Sequence, residues 1–202
     1  MNFKVKPVTK FDATPFIIDI HYAKRFPSVS HYFGLFDDSE MIGLVSYGSP
    51  ASHSLTIGIC GREYKQEVLE LNRLVLKYNR KNEASYLIGQ SFKLLPKPCI
   101  IVSYADTSQN HLGKVYQATN FIYTGLSDKH SEWRMKNSNL HSKAVCRNYS
   151  LEERKSNPEK FEKIDRPRKH RYIYFLGSKK QIKHYKSKLK YSVSNYPKTV
   201  TL

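Results

Sequence analysis

The sequence is poor in the residues from which several common chemistries are built. Cysteine occurs three times, as Cys60, Cys99 and Cys146. So odd and widely spaced a set argues against a disulfide framework and supplies no paired CxxC for zinc. Cys99 opens an apolar run and reads as a small core residue rather than a nucleophile. The eight histidines (His21, His31, His53, His111, His130, His141, His170, His184) are scattered and contain no HExxH. GxxxxGK[ST], GxGxxG and GxSxG are all missing, which counts against P-loop hydrolysis, Rossmann cofactor chemistry and the serine nucleophile elbow. No apolar run approaches the roughly 18 residues of a membrane span. The opening Met1-Asn2-Phe3-Lys4-Val5-Lys6-Pro7 lacks a signal-peptide core, so a cytoplasmic protein is expected.

Acidic residues are also scarce. There are 17 against 34 lysines and arginines, a formal charge of +17 in 202 residues. A field of this size favours a polyanion, because each phosphate contact releases counterions. A membrane surface would need a basic amphipathic helix with large exposed apolar residues, and only one short, poor candidate exists. Between Arg166 and Leu202 there are eleven basic residues and no acid, interleaved with Tyr172, Tyr174, Tyr185, Tyr191 and Tyr196. Cations for phosphates and rings for stacking are what a nucleic-acid groove requires, although some of these tyrosines must serve the core. Arg166, Arg168, Lys169, Arg171, Lys179, Lys180 and Lys183 are the expected phosphate contacts, and DNA the expected partner.

Hydrophobic residues make up 40% of the chain, enough for a sizeable core. Strands are expected over 3–8, 31–36, 41–47, 68–78, 99–105, 121–124, 132–136 and 171–176. Helices are expected over 14–26, with Thr14 as cap and Pro15 first, then from Asn82 to Pro96, over 110–120 and over 179–189. A loop rich in Gly, Ser and Pro follows Gly48. In 68–78 the alternation places Leu69, Leu71, Arg73 and Val75 on one face, with Leu74 and Leu76 disturbing it. The order of elements predicts an α/β (α+β) sandwich around one mixed sheet. Residues 1–137 form the expected main domain, 138–165 a polar insert or linker, and 166–202 a basic β-α extension packed on the same domain.

Asp106 ends the most apolar strand, where open α/β sheets place ligands. It can hold a base amine or a metal, or simply cap the turn Asp106-Thr107-Ser108. A metal would need His111 and a third group. Tyr116 can act as general acid, stack on a base, or fill the core. The same ambiguity holds for Tyr47, which ends a strand. Arg73 lies inside an apolar strand and needs an anion: Glu70, Asp106 or a ligand phosphate.

Four stretches together carry a resemblance. They are Leu69-Glu70-Leu71-Asn72-Arg73-Leu74; Asn82-Glu83-Ala84-Ser85 with Ser91-Phe92-Lys93-Leu94-Leu95; Val102-Ser103-Tyr104-Ala105-Asp106, Gly113 and Val115-Tyr116-Gln117-Ala118-Thr119-Asn120 with Tyr123-Thr124-Gly125; and Arg166-Pro167-Arg168-Lys169-His170-Arg171-Tyr172. Over about residues 41–200 the chain resembles the Mom family of phage and prophage proteins. The resemblance implies a fold like that of the GNAT acyltransferases. It implies conversion of adenine in phage DNA to an N6-carbamoylmethyl derivative that blocks host restriction. It makes Asp106, Tyr116 and Tyr47 the expected catalytic residues, and places Arg73 and Ser91 near a small-molecule donor. An acyl-CoA donor is in question, because the superfamily's Q/RxxGxG/A pyrophosphate turn reads Asn79-Arg80-Lys81-Asn82-Glu83-Ala84 here, without glycine. Iron has been considered for the family, and these residues do not decide it. The competing functions are an acyltransferase on protein, tRNA or a small molecule, and a non-catalytic DNA-binding protein.

Overall fold

A computed structural model describes residues 2–140 and 142–198; His141 and the last four residues of the basic tail lie outside the described part. Seven strands form one sheet in the order β1-β2-β3-β4-β5-β9-β6. They are β1 (Phe3–Pro7), β2 (His31–Asp37), β3 (Glu40–Gly48), β4 (Val68–Leu76), β5 (Cys99–Asp106), β6 (Ile122–Leu126) and β9 (Lys169–Leu176). Neighbours run antiparallel except β4 and β5, which are parallel. The helices are α1 (Lys10–Pro15), α2 (His53–Cys60), α3 (Glu83–Leu94), α4 (Lys114–Ala118), α5 (Ser142–Asn148), α6 (Leu151–Ser156) and α7 (Lys179–Lys188). This is the mixed α/β architecture expected, with helices on both faces of the sheet.

The side chains of β5 show how the layers are built. Cys99, Ile101 and Ala105 pack with α3 residues Leu87, Ile88 and Phe92 on one face. Ile100 and Val102 point the other way, into a second core with Ile59 and Cys60 of α2 and Tyr185 of α7. A smaller cluster of Ala13, Phe16 and Ile17 covers Leu44 and Val75 on that second face. Alternation of period two along an all-apolar strand is what a central strand covered on both sides requires.

The first helix differs from expectation. Its cap is Thr9, whose hydroxyl accepts from the Asp12 N–H while the Asp12 carboxylate accepts from the Thr9 N–H. That reciprocal box outcompetes Thr14, whose hydroxyl instead donates to the Lys10 carbonyl inside the helix. Pro15 has no N–H to continue the ladder, and the backbone widens into a π turn over Phe16–Ile20, closed by the His21 N–H on the Phe16 carbonyl. The helix therefore stops short of Phe26. The loop after Gly48 also contains more structure than expected: Ser52 caps α2 through the Leu55 N–H.

Within 138–165 the structure forms α5 and α6, and β8 (Phe161–Arg166) pairs with β7 (His130–Met135) in a separate two-stranded ribbon. Ser150 and Glu153 make a second capping box at the start of α6. Val145 and Phe161 are buried at the ribbon, with the Tyr149 ring packed at a tilt against Phe161.

The most consequential irregularity lies in β4. Ser46 pairs with Arg73, but its neighbour Tyr47 pairs with Leu71, so Asn72 is an extra residue. The bulge is held on both sides: the Ser46 hydroxyl donates to Asn72 Oδ1 at 2.7 Å, and Asn72 Nδ2 donates to the Ser28 carbonyl at 2.8 Å. One inserted residue exchanges the faces beyond it. Leu69, Leu71, Leu74 and Leu76 therefore all join the α3 core, while Val75 packs on the opposite face. The expected row Leu69-Leu71-Arg73-Val75 is thus broken at Asn72. The bulge moves Arg73 to the face that carries Glu70.

Candidate active site

The parallel pairing of β4 with β5 runs from Val68–Ile100 to Leu71–Ser103 and ends there, although β4 continues to Leu76 and β5 to Asp106. The two strands therefore fork at the bulge. A cleft of about 840 Å³ opens in the fork, within the range of ordinary small-molecule sites. Glu70, Arg73, Tyr104, Asp106, Tyr116 and Lys169 line it, with His21, Tyr22 and His111 at its rim. A second cleft of about 440 Å³ shares Glu70, Tyr104 and Lys169 with the first and extends to His130 and Arg166 at the foot of the ribbon.

Asp106 caps the expected turn and also pairs with a lysine. One carboxylate oxygen accepts from the Ser108 N–H (3.0 Å) and hydroxyl (2.7 Å), which is the Asx turn. The other faces Lys169 Nζ at 3.0 Å, on the paired residue of β9. Burial raises its pKa, but the Ser108 hydrogen bonds and Lys169 outweigh that and leave it below the usual carboxylate value. Asp106 is an ionised acceptor at neutral pH.

Tyr116 reaches the cleft from the opposite face of the sheet. It is 8% exposed and packs on Phe121 and Tyr172, beside Ser103, whose hydroxyl donates to the Leu71 carbonyl at the crotch of the fork. Burial pushes its phenol up to about 12, so it is a proton donor. The α4 start that carries it is closely fitted. Gly113 has φ +69°, and a Cβ there would lie 2.5 Å from the Tyr172 ring. Tyr172 also donates to the Leu112 carbonyl.

Arg73 and Glu70 line the cleft from β4. Arg73 donates to the carbonyls of Asn72 (2.6 Å) and Arg25 (3.0 Å), and its buried Nε meets no acceptor among the described residues. Glu70 is raised by burial against the opposing pull of Lys169 and Arg73. Sequence reasoning weighed Glu70 only as a partner for Arg73. The signal it passed over was a lone acid between two leucines of a core strand. His21 and Tyr22 were likewise hidden inside the over-long first helix.

His21 is lowered to about 4, mainly by burial, then by Arg73 and His111. Its Nδ1 accepts from the Ala23 N–H at 3.0 Å, which a protonated ring could not do. In the unfolded chain it takes a proton below about 6.5. The unfolded state then binds more protons, so stability is lost as pH falls from 6.5 towards 4 and is fully present above that window. The thermal midpoint is expected to drop across this interval, and His21→Gln to flatten the drop. An unchanged profile in that variant would assign the acid sensitivity to another group.

Several expected site residues lie elsewhere. Tyr47 is fully buried and its hydroxyl lies 2.6 Å from Ser91 Oγ, which itself donates to the Ile88 carbonyl. This pair seals the α3 core and lines neither cleft, so the structure does not bring Tyr47 or Ser91 together with Asp106, Tyr116 and Arg73. Arg171 is also turned inward: it donates to Thr124 Oγ1 and the Thr124 carbonyl and stacks 3.4 Å over Tyr191. Its donors are spent on Thr124, although its side chain also lines the smaller cleft. Arg168 ties down the Leu126 and Ser127 carbonyls. Arg166 is exposed at the ribbon base beside Glu132, 3.2 Å away. Lys179, Lys180 and Lys183 are exposed on α7, which begins beyond Leu176. Leu176 pairs with Cys99 whereas Lys169 pairs with Asp106, so the N-terminus of α7 stands a strand-length, about 20 Å, from the cleft. Among the described residues no three of His, Cys, Asp and Glu approach closely enough to hold a metal ion. Asp106 and His111 have no third such ligand beside them, so the described residues do not fit an iron or zinc centre built on that pair.

The Mom protein family matches residues 2–198. The chain belongs to that family. The methylcarbamoylase mom of Escherichia phage Mu is 25% identical over 130 residues, 61% of this chain and 54% of the phage protein, so the match spans about half of that relative. Among solved structures, Arabidopsis thaliana NAA60 bound to a bisubstrate analogue aligns with a TM-score of 0.52 at 15% identity, over 88% of this chain and 100% of that one. Its acetyl-CoA complex gives 0.51 at 14%, over 87% and 100%. At such identities the likeness is one of fold: this Mom-family chain is built like a GNAT acetyltransferase.

Proposed function

We propose that this Mom-family protein is a phage-type DNA-modifying transferase that alters adenine at N6 with a carbamoylmethyl-type group, in the host cytoplasm, and so shields DNA from restriction. The observation that carries the proposal is the forked cleft, which brings Asp106, Tyr116 and Arg73 together from three separate elements. The phage Mu relative, a methylcarbamoylase by name, supports a transferred carbamoylmethyl-type group.

The adenine N6 amine is a poor nucleophile and is paired inside a duplex, so the base must leave the stack. In this mechanism Asp106, kept ionised, accepts from the N6 amine and orients its lone pair. Tyr116 walls the crotch of the fork as a stacking ring and hydrogen-bond donor. Arg73, a cation lining the cleft, faces an anionic part of the donor. Lys169 and Arg166 hold phosphates flanking the extruded nucleotide, and Lys179, Lys180 and Lys183 act as a distant electrostatic contact. The fold would equally serve an acyltransferase on another acceptor. The +17 charge beside an open cleft is what favours DNA. Plasmid from expressing cells should resist endonucleases whose sites contain adenine. Full cleavage of plasmid from cells holding soluble protein would count against the proposal.

A further inference from the structure

The smaller cleft, of about 440 Å³, adjoins the fork and is itself of small-molecule size. It lies over the sheet face that carries Ile100 and Val102, because Tyr104 continues that row of β5 past the core. Leu55 of α2, Tyr104 and Tyr191 pack on the end of the core and line the cleft. Tyr191 is placed from several sides. Its hydroxyl lies against Gly58, where a Cβ would come within 2.9 Å of it. The Arg171 guanidinium lies 3.4 Å over its ring, and the neighbouring Lys190 N–H donates to the Ile59 carbonyl at 2.9 Å. The apolar wall is thus held by the fold itself, which spares a ligand the cost of ordering it.

Polar groups stand at both ends of this slot. At the inner end Glu70, Tyr104 and Lys169 line both clefts. Glu70 offers acceptor oxygens. Burial holds the Tyr104 phenol above its usual pKa, so its hydroxyl keeps a proton to donate. At the mouth are His130 and Arg166, which pair across the ribbon and are both exposed. Apolar walls, an acceptor and a donor at the bottom and a cation outside suit an extruded nucleobase whose phosphates stay in solvent. An acceptor beside a donor complements an edge that pairs an amine with a ring nitrogen, which adenine and cytosine carry. Guanine presents adjacent donors on its pairing edge, and thymine has a carbonyl in place of the amine.

We infer that the smaller cleft seats the target base with its amine edge inward, read by Glu70 and Tyr104, while the donor occupies the fork. Base and donor then arrive through separate mouths and meet beside Lys169, whose ammonium lies 3.0 Å from Asp106. The inference rests on the proposed reaction in calling this base the target. Its binding can be measured with no donor present, so the two readings fail separately.

The test is fluorescence anisotropy of the full chain with short single-stranded thymidine oligomers that carry one central adenine, cytosine or guanine, or none. The adenine oligomer should bind about tenfold more tightly than the plain thymidine strand, the scale of one correctly paired base edge, and guanine should gain little. Ser54→Trp fills the smaller cleft from the exposed first turn of α2. Glu70→Leu removes the acceptor at the inner end. Each should bring the adenine oligomer down to the thymidine value, with the melting temperature showing that the variant is folded. A preference for guanine, or none at all, in the unaltered chain would overturn the inference. So would an adenine preference that survives Ser54→Trp. An adenine preference lost in both variants, in a protein that leaves no adduct in cellular DNA, would sink the proposed reaction and leave the base seat standing.

Discussion

Asp106→Asn is expected to lower base modification by about a hundredfold or more, the span of a positioned proton-handling group, with little change in DNA affinity. Asp106 has one oxygen fixed by Ser108 and the other aimed at Lys169 and the cleft. Asparagine can keep the Ser108 contacts with its carbonyl oxygen. It then presents an amide NH₂ where the carboxylate stood, towards an ammonium and towards a substrate amine, neither of which can accept from it. Catalysis loses its acceptor while the turn stays formed, so the melting temperature should move little. The salt dependence of DNA binding should also be unchanged, because no phosphate contact is removed. Wild-type activity in this variant would remove Asp106 from the mechanism. A large fall in stability would show that its part is the turn alone.

Arg171→Met should produce the opposite pattern, a large loss of stability without a specific loss of DNA affinity. The side chain is 7% exposed, donates twice to Thr124 and stacks over Tyr191. Leaving the Thr124 acceptors buried and unpaired costs about 1–3 kcal/mol. The desolvated cation–π contact adds about 2 kcal/mol. For a chain of this size the sum corresponds to a fall of about 10 °C in melting temperature. Arg166→Ala, only a few residues away, removes an exposed cation. It should leave the melting temperature nearly unchanged and reduce the slope of log affinity against log salt by about one. If Arg171→Met alters the salt slope while melting normally, the guanidinium reaches DNA and its placement here is wrong.

That contrast marks how far the sequence could be read. Charge density identified the basic segment, but charge does not record direction. Period-two alternation along 169–176 puts Lys169 and Arg171 on one face, yet only packing decides that Lys169 pairs with Asp106 while Arg171 spends its donors on Thr124 and lies over Tyr191. The order of elements and the apolar run of β5 were legible because alternation and strand length follow directly from burial on two faces. The Asn72 bulge was visible only as a disturbance, since Leu74 and Leu76 fell out of phase, and its cause lies in Ser28 and Ser46, remote in sequence. Asp106 was legible from its place at the end of the most apolar strand and Tyr116 from the helix that follows; the resemblance gave both their catalytic reading, and both line the cleft. Tyr47 was legible as the end of a strand and Ser91 only through the resemblance, but strand position could not tell a tyrosine facing the fork from one facing α3. The capping boxes Thr9–Asp12 and Ser150–Glu153 were written in the sequence. The first was passed over in favour of the more conspicuous Thr14-Pro15, the second within a segment read as a linker.

The central claim is covalent change to a DNA base. It is tested most directly by mass spectrometry of nucleosides from the DNA of cells expressing this chain, beside cells expressing Asp106→Asn. The account predicts a deoxyadenosine adduct of carbamoylmethyl mass with the unaltered chain and its near absence with the variant. Unmodified nucleosides from cells in which the protein is soluble and binds DNA would contradict it.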